Sequence, residues 1–233
     1  RQVAGRIREL APDTIMLYSP HAPLTRNYFG ISSVGHVSGD FGNFGAGEVS
    51  FEATYDKVLA KRIIDMAKNM DIIVAPFMEP MDVMDHGTTV PLYFINKEYR
   101  NYNLIRISLS GLPLEEHFKL GKVIRSAVET EGRRAVFIAS GDLSHVLKED
   151  GPYGFSEEGP VFDRLVTEAV MEGNLKSLMD LDEDFCAGAA ECGLRSFIIM
   201  AGALDGLNVR SELLSYEGPF GVGYGVASFE VGR

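Results

Sequence analysis

Apolar side chains recur along this chain with two spacings, one helical and one extended, and the two alternate. In RQVAGRIREL the residues Val3, Ile7 and Leu10 share one helical face, and Pro12-Asp13 ends that segment. TIMLYS (14–19) is a short unbroken apolar run, the pattern of a buried strand. Helical spacing returns at 55–69 and 113–130, and strand-like runs appear at DIIVAPF (71–77), NLIRISLSG (103–111) and RRAVFIAS (133–140). Helices are predicted over 161–171 and from about 189 to 204. The tail, roughly 209–230, alternates and is rich in glycine, which predicts a closing pair of strands.

Strands apolar on both faces, alternating with helices, specify an α/β protein. The expectation is a single-domain α/β/α sandwich over 1–233, with a central mixed, mostly parallel sheet covered by helices on both faces. With 233 residues, 45% of them hydrophobic, one large core can form. No repeat, linker or low-complexity tract divides the chain. The sequence opens within a helix that leads into a strand, and the first strand of such folds usually lies inside the sheet. A further strand upstream of residue 1 is therefore expected.

Charge and cysteine usage narrow the setting. The formal net charge is −11, and a surface of that sign repels a nucleic-acid backbone or an anionic membrane. No apolar run approaches the roughly 20 residues needed to cross a bilayer. The two cysteines, Cys186 and Cys192, form neither a disulfide framework nor paired zinc motifs. A cytoplasmic protein is the simplest expectation.

In open α/β sheets, functional groups gather beyond the carboxyl ends of strands. Of the five histidines, His21 follows TIMLYSP and His145 follows RRAVFIAS through GDLS, while His86 lies in the loop MDVMDHGTTVP after DIIVAPF. These three occupy site positions, and imidazole is both the commonest metal ligand and the usual general base. His117, flanked by glutamates in LPLEEHFKL, reads as a surface residue, and His36 in GHVSGDFGNFGAG is ambiguous.

Glu191 stands out among the acidic residues because CAGAAECGLRSF surrounds it with small and apolar neighbours. A carboxylate there needs a cation to offset its desolvation. Arg195, four residues on, is one candidate and a bound metal is the other. Two histidines and a carboxylate with open positions form the facial triad of non-haem Fe(II) oxygenases. Asp142 in GDLSH reads as a turn residue or as a partner that orients a ligand. Cys192 reads as a small buried residue, with no activating histidine near it in sequence. GPFGVGYGV (218–226) lacks the lysine of a P-loop and reads as turns and close strand packing.

SPHAP (19–23), DHGTTVPL (85–92), GDLSH (141–145) and ECGLRSF (191–197), in this order, resemble the class III extradiol dioxygenases, in a branch that includes Memo-like proteins of systems with a radical-SAM protein. The resemblance covers essentially the whole chain and extends to the tail SYEGPFGVGYGV. It implies a LigB-like fold and a ferrous ion held by His21 and Glu191, with zinc as the alternative metal. It also implies His145 as acid/base catalyst and His86 as an active-site histidine that contacts substrate or oxygen. The implied substrates are a catechol-type aromatic and O2, the implied assembly is a homodimer, and radical-SAM-associated proteins are the implied partners. The family's first histidine ligand comes from a Pro-His-Pro-like strand that has no counterpart here. Memo-like relatives carry a cysteine at the carboxylate position, where this chain has both types side by side as Glu191-Cys192. A metal-holding accessory protein without ring cleavage is the competing expectation, and a zinc hydrolase or lyase a third.

Overall fold

The computed structural model describes residues 1–33, 35–77 and 83–232. Its centre is β1 (Thr14–Ser19), in which all six residues are buried. Burial on this scale follows from having strands on both sides and elements on both faces. β1 pairs in parallel with β6 (Asn103–Ser108) and with β7 (Ala135–Ala139), and Thr14 lies opposite both Asn103 and Ala135. The full order is β5 (Val74–Pro76), β2 (Phe29–Ile31), β6, β1, β7. β2 runs parallel to β5 and meets β6 antiparallel at Ile31 and Ile107, which makes the sheet mixed but mostly parallel.

The two-residue period of the strands divides the core. Met16, Tyr18, Ile105, Ile107 and Phe137 face α2 (Lys57–Lys68), α4 (Leu114–Thr130) and α7 (Leu194–Leu204). Ile15, Leu104, Val136 and Ile138 face the other way, toward α1 (Gln2–Leu10), α3 (His86–Ile95) and the hairpin of β3 (His36–Phe41) with β4 (Ala46–Thr54). An outer cluster joins α5 (Glu158–Glu172), α6 (Glu183–Gly188) and the hairpin of β8 (Val209–Glu217) and β9 (Tyr224–Val231) to the far side of α7. Among the described residues no helix is long and apolar enough to cross a membrane.

Most elements expected from the periodicity are present, with the strand expected over 71–77 reduced to Val74–Pro76. Several were not expected, the short α6 among them. β2 is only three residues long, too short for a period to register. The β3–β4 hairpin is largely exposed and interrupted by Gly39, Gly42, Gly45 and Gly47, which read as a loop. α3 carries no apolar stripe, because Gly87, Thr88 and Thr89 are among its buried residues and Pro91 lies inside it. It is started instead by Asp85, whose side chain accepts the Thr88 N–H at 3.1 Å.

α4 and α7 cross at two glycines. A methyl group on Gly121 would overlap the Ile199 carbonyl oxygen, and one on Gly202 would overlap the Phe118 carbonyl oxygen. Backbone cannot yield as a flexible side chain can. Gly121→Ala and Gly202→Ala are each expected to destabilise the fold by about 1–3 kcal/mol, measured as a lowered urea midpoint at an unchanged slope.

Candidate metal centre

Because β1, β6 and β7 run in parallel and in register, their carboxyl ends emerge on one side of the sheet. The Ser140 N–H extends the ladder past β7 by donating to the Tyr18 carbonyl at 2.9 Å. His21 leaves β1 on one flank of this edge, and the 141–145 segment leaves β7 on the other.

His86 lies at the first position of α3 and not in a loop. Its ring and that of His21 are 3.9 Å apart between centroids, tilted by 43°. The approach depends on Gly87, since a methyl group there would overlap the Ser19 hydroxyl and crowd the His21 ring at 3.0 Å. The Ser19 hydroxyl oxygen in turn accepts the His21 N–H at 3.1 Å. Partial desolvation at this exposed edge lowers the pKa of His21 from its ordinary value, and the neighbouring His86 pushes it the same way. Asp142 and His145 also act electrostatically on His21, so the two flanks face each other across the same end of the sheet. Two adjacent imidazoles, with protonation of His21 disfavoured, are suited to bind a metal.

On the other flank, ligand atoms of Asp142, His145 and Cys192 lie within 4.8 Å of one another. Gly141, at a φ of 153°, packs on the backbone of Gly193 and so draws the two segments together. Cys192 Sγ accepts the Asp142 N–H at 3.2 Å. His145 Nδ1 is held by the Ala190 carbonyl, which fixes the Nδ1–H tautomer of a neutral ring. Its Nε2 then presents a lone pair to Asp142 Oδ2 only 3.3 Å away. Two acceptors that face each other require a proton or a cation between them. Burial also pushes the Cys192 thiol up to about 11, so that only a cation would make it a thiolate near neutral pH. A shared proton satisfies the first requirement, and a divalent metal would satisfy the second.

The GDLSH segment is held in place by the glycine-rich tail. The Leu143 N–H donates to the Gly223 carbonyl at 2.9 Å, and the Gly223 N–H donates to the Ser144 carbonyl at 2.7 Å. Buried Asp163 accepts the Ser144 N–H at 2.7 Å and the Tyr216 hydroxyl at 2.6 Å. The tail thus serves to position the site.

Glu191 is differently placed. Its Oε2 accepts the Leu194 N–H at 2.7 Å at the start of α7. Burial raises its pKa, and that N–H and Arg195 partly oppose the rise. Glu191 and Arg195 line the same cavity of about 390 Å³, with Cys186 and Leu114, but they form no ion pair. Among the described residues Arg195 Nε is buried without a partner.

Sequence reasoning missed three contributors. Arg106, in the middle of β6, is 1% exposed and pairs with Asp85. Phe44 lies edge-on to His86 with centroids 6.1 Å apart, and Tyr153 lies edge-on to His145 at 5.3 Å. The only signal for Arg106 was a charge within an otherwise apolar strand. His36, exposed at the start of β3, bonds to Thr54 Oγ1 at 3.0 Å and stands apart from the site. His117 is not a surface residue: it is fully buried, takes the Ser110 N–H on Nε2 at 3.3 Å and is bonded through Nδ1 to the Pro113 carbonyl at 3.1 Å.

Known proteins bear on this site. Residues 1–227 match the family described as catalytic LigB subunit of aromatic ring-opening dioxygenase. Protein CA_C1420 of Clostridium acetobutylicum is 38% identical over 239 residues, covering 99% of this chain and 50% of its own length. The chain therefore spans about half of that relative. The 2-aminophenol 1,6-dioxygenase beta subunit of a Pseudomonas species is 26% identical, over 97% of this chain and 80% of its own. A MEMO1 family protein of Archaeoglobus fulgidus is 24% identical, over 92% and 73%. The crystal structure of uncharacterized protein JW3007 from Escherichia coli K12 shares the fold, with a TM-score of 0.64 at 16% identity over 97% of this chain and 90% of that one.

Burial lowers the His117 pKa from 6.5 to about 4, because protonation would place a charge in a dry site. As pH falls, the unfolded chain takes up the proton first. Stability is therefore expected to decline between about pH 6.5 and pH 4, by roughly 3 kcal/mol in total from this group. Urea denaturation across that range measures it, and His117→Asn should flatten this part of the profile.

Proposed function

The chain belongs to the family of the catalytic LigB subunit of aromatic ring-opening dioxygenases, and on that premise we propose that it is an Fe(II)-dependent extradiol dioxygenase that opens a catechol-type ring with O2. The observation that carries this reading is the convergence of His21, His86, Asp142, His145 and Cys192 at one end of the sheet. Asp142 and Cys192, whose ligand atoms lie within 4.8 Å of each other, would hold the metal together with His21, the ligand that the resemblance implies. Glu191, the carboxylate ligand implied by the resemblance, is the competing donor; its bond to Leu194 and its place in the side cavity favour a role in shaping the start of α7.

Bound iron would supply a coordination point for the catecholate oxygens and for O2, with the cation favouring the anionic form of the substrate. His145 acts as acid/base through Nε2, since its Nδ1 is committed to the Ala190 carbonyl. It takes a proton from a catechol hydroxyl and returns it later, while Asp142 holds the ring in orientation. His86 contacts the substrate or oxygen beside His21. Phe44 and Tyr153, each 65% exposed and each next to one of these histidines, flank a planar ring on two sides.

A second reading has its own support. Leu24, Val83 and Phe220 are 66–71% exposed on segments adjoining the site, a surface suited to another protein. In that reading the chain is a metal-holding accessory of the Memo-like type, as a homodimer or with radical-SAM-associated partners, and cleaves no ring.

Anaerobic Fe(II) loading of the full-length protein, followed by iron and zinc analysis, tests the proposal. Near-stoichiometric iron is expected, lost in His21→Ala and Cys192→Ala and kept in Glu191→Ala. Absence of iron from folded wild-type protein overturns it, and retained metal without O2 uptake on any catechol leaves the accessory reading. In a turning-over enzyme, Phe44→Ala and Tyr153→Ala should each raise KM about tenfold, with iron content unchanged, a loss of about 1.4 kcal/mol of ring contact.

A further inference from the structure

We infer that Arg106 is a positioning residue for the His21–His86 pair, acting through Asp85. Arg106 projects from the middle of β6 on the face of the sheet opposite Ile105 and Ile107, and it is 1% exposed. A guanidinium placed so deeply is costly unless its donors are met by well-placed acceptors. Nη1 reaches the Tyr55 hydroxyl at 3.3 Å and the Val83 carbonyl at 3.2 Å, Nη2 pairs with Asp85 Oδ2, and Nε is buried without a partner among the described residues. The charge is thus directed at the two-residue approach to α3, the helix that begins at His86.

Asp85 passes this anchoring to both imidazoles. Its Oδ1 accepts the Thr88 N–H at 3.1 Å and its Oδ2 accepts the Thr88 hydroxyl at 3.2 Å, which fixes the first turn of α3 and with it His86. Oδ1 also takes a hydrogen bond from the Ser19 hydroxyl at 3.4 Å, and that hydroxyl oxygen accepts the His21 N–H at 3.1 Å. One carboxylate therefore sets the start of the helix under one ring and the backbone under the other. Gly87 leaves no slack, because any side chain there would strike Ser19. A neutral residue at 106 would leave Asp85 without its cation in a mostly buried position. A carboxylate freed in that way would turn toward solvent and release Thr88 and Ser19 together.

The inference rests on the proposed metal centre only for what the pair does, not for how it is held, and its test separates the two. In the full-length protein, Arg106→Gln and Asp85→Asn are compared with wild type. The readouts are far-UV circular dichroism, Co(II) affinity, and the diethylpyrocarbonate modification rates of His21 and His86 resolved by peptide mass spectrometry. Asn can still accept the Thr88 N–H but lacks the charge through which Arg106 holds the side chain in place. Both variants are expected to stay folded, to modify His21 and His86 several-fold faster than wild type, and to bind Co(II) about tenfold or more weakly. Asp163→Asn, on the opposite flank, should leave those two rates unchanged. Wild-type modification rates in both folded variants would overturn the inference. If one variant does not fold, the other decides. If neither folds, the pair is a requirement for folding alone and the positioning role falls. A wild-type protein that binds no Co(II) would count against the metal reading, while the modification rates would still decide this one.

Discussion

Everything about the site depends on β1 being flanked in parallel by β6 and β7. Parallel pairing forces each connection to cross a face of the sheet, which buries the strands on both sides and leaves their carboxyl ends on one edge. Residues far apart in sequence are brought to a common edge by this constraint, without any local motif linking them. In antiparallel pairing, His21 and the 141–145 segment would emerge at opposite ends.

Around that edge the protein invests in polar groups that packing alone would reject. A buried guanidinium lies under one flank and a buried carboxylate, Asp163, under the other. Each is met by several partners, and each fixes a backbone segment that carries a histidine. The imidazoles themselves sit against each other, against a carboxylate or against a thiol, in arrangements that neutral protein groups satisfy poorly. Stability is given up at the centre and recovered in the frame, the distribution expected of a site formed before its ligand arrives.

Much of this was legible in the sequence, for physical reasons. Long elements with strong periods, such as α4 and β1, declare themselves, and the strand-end rule selected His21 and His145 correctly as edge residues. The same rule selected His86, but its place at the start of a helix was hidden, because α3 is buried through glycine and threonine and not through an apolar stripe. His117 was misread because flanking glutamates signal a wet surface, whereas the ring points along the other side of α4 into the sheet end. The partner of Glu191 could not be read from an i,i+4 spacing, since that spacing holds only inside a helix and Glu191 precedes α7. The role of the glycine-rich tail depends on hydrogen bonds to residues some eighty positions earlier, for which no sequence period exists.

The two borders of the main sheet differ in kind. β5 ends the sheet with three residues and closes on Pro76, which has no N–H to offer. β7 ends it with Ala-Val-Phe-Ile-Ala, five half-exposed apolar residues with neither a charge nor a proline, and among the described residues its only strand neighbour is β1. Such a border is adhesive: its free peptide groups can zip onto any extended chain that meets them. In concentrated solution this face, more than the thermodynamic stability of the core, would govern how long the molecule remains dispersed, and a single lysine on its outer rim would act as a colloidal stabiliser.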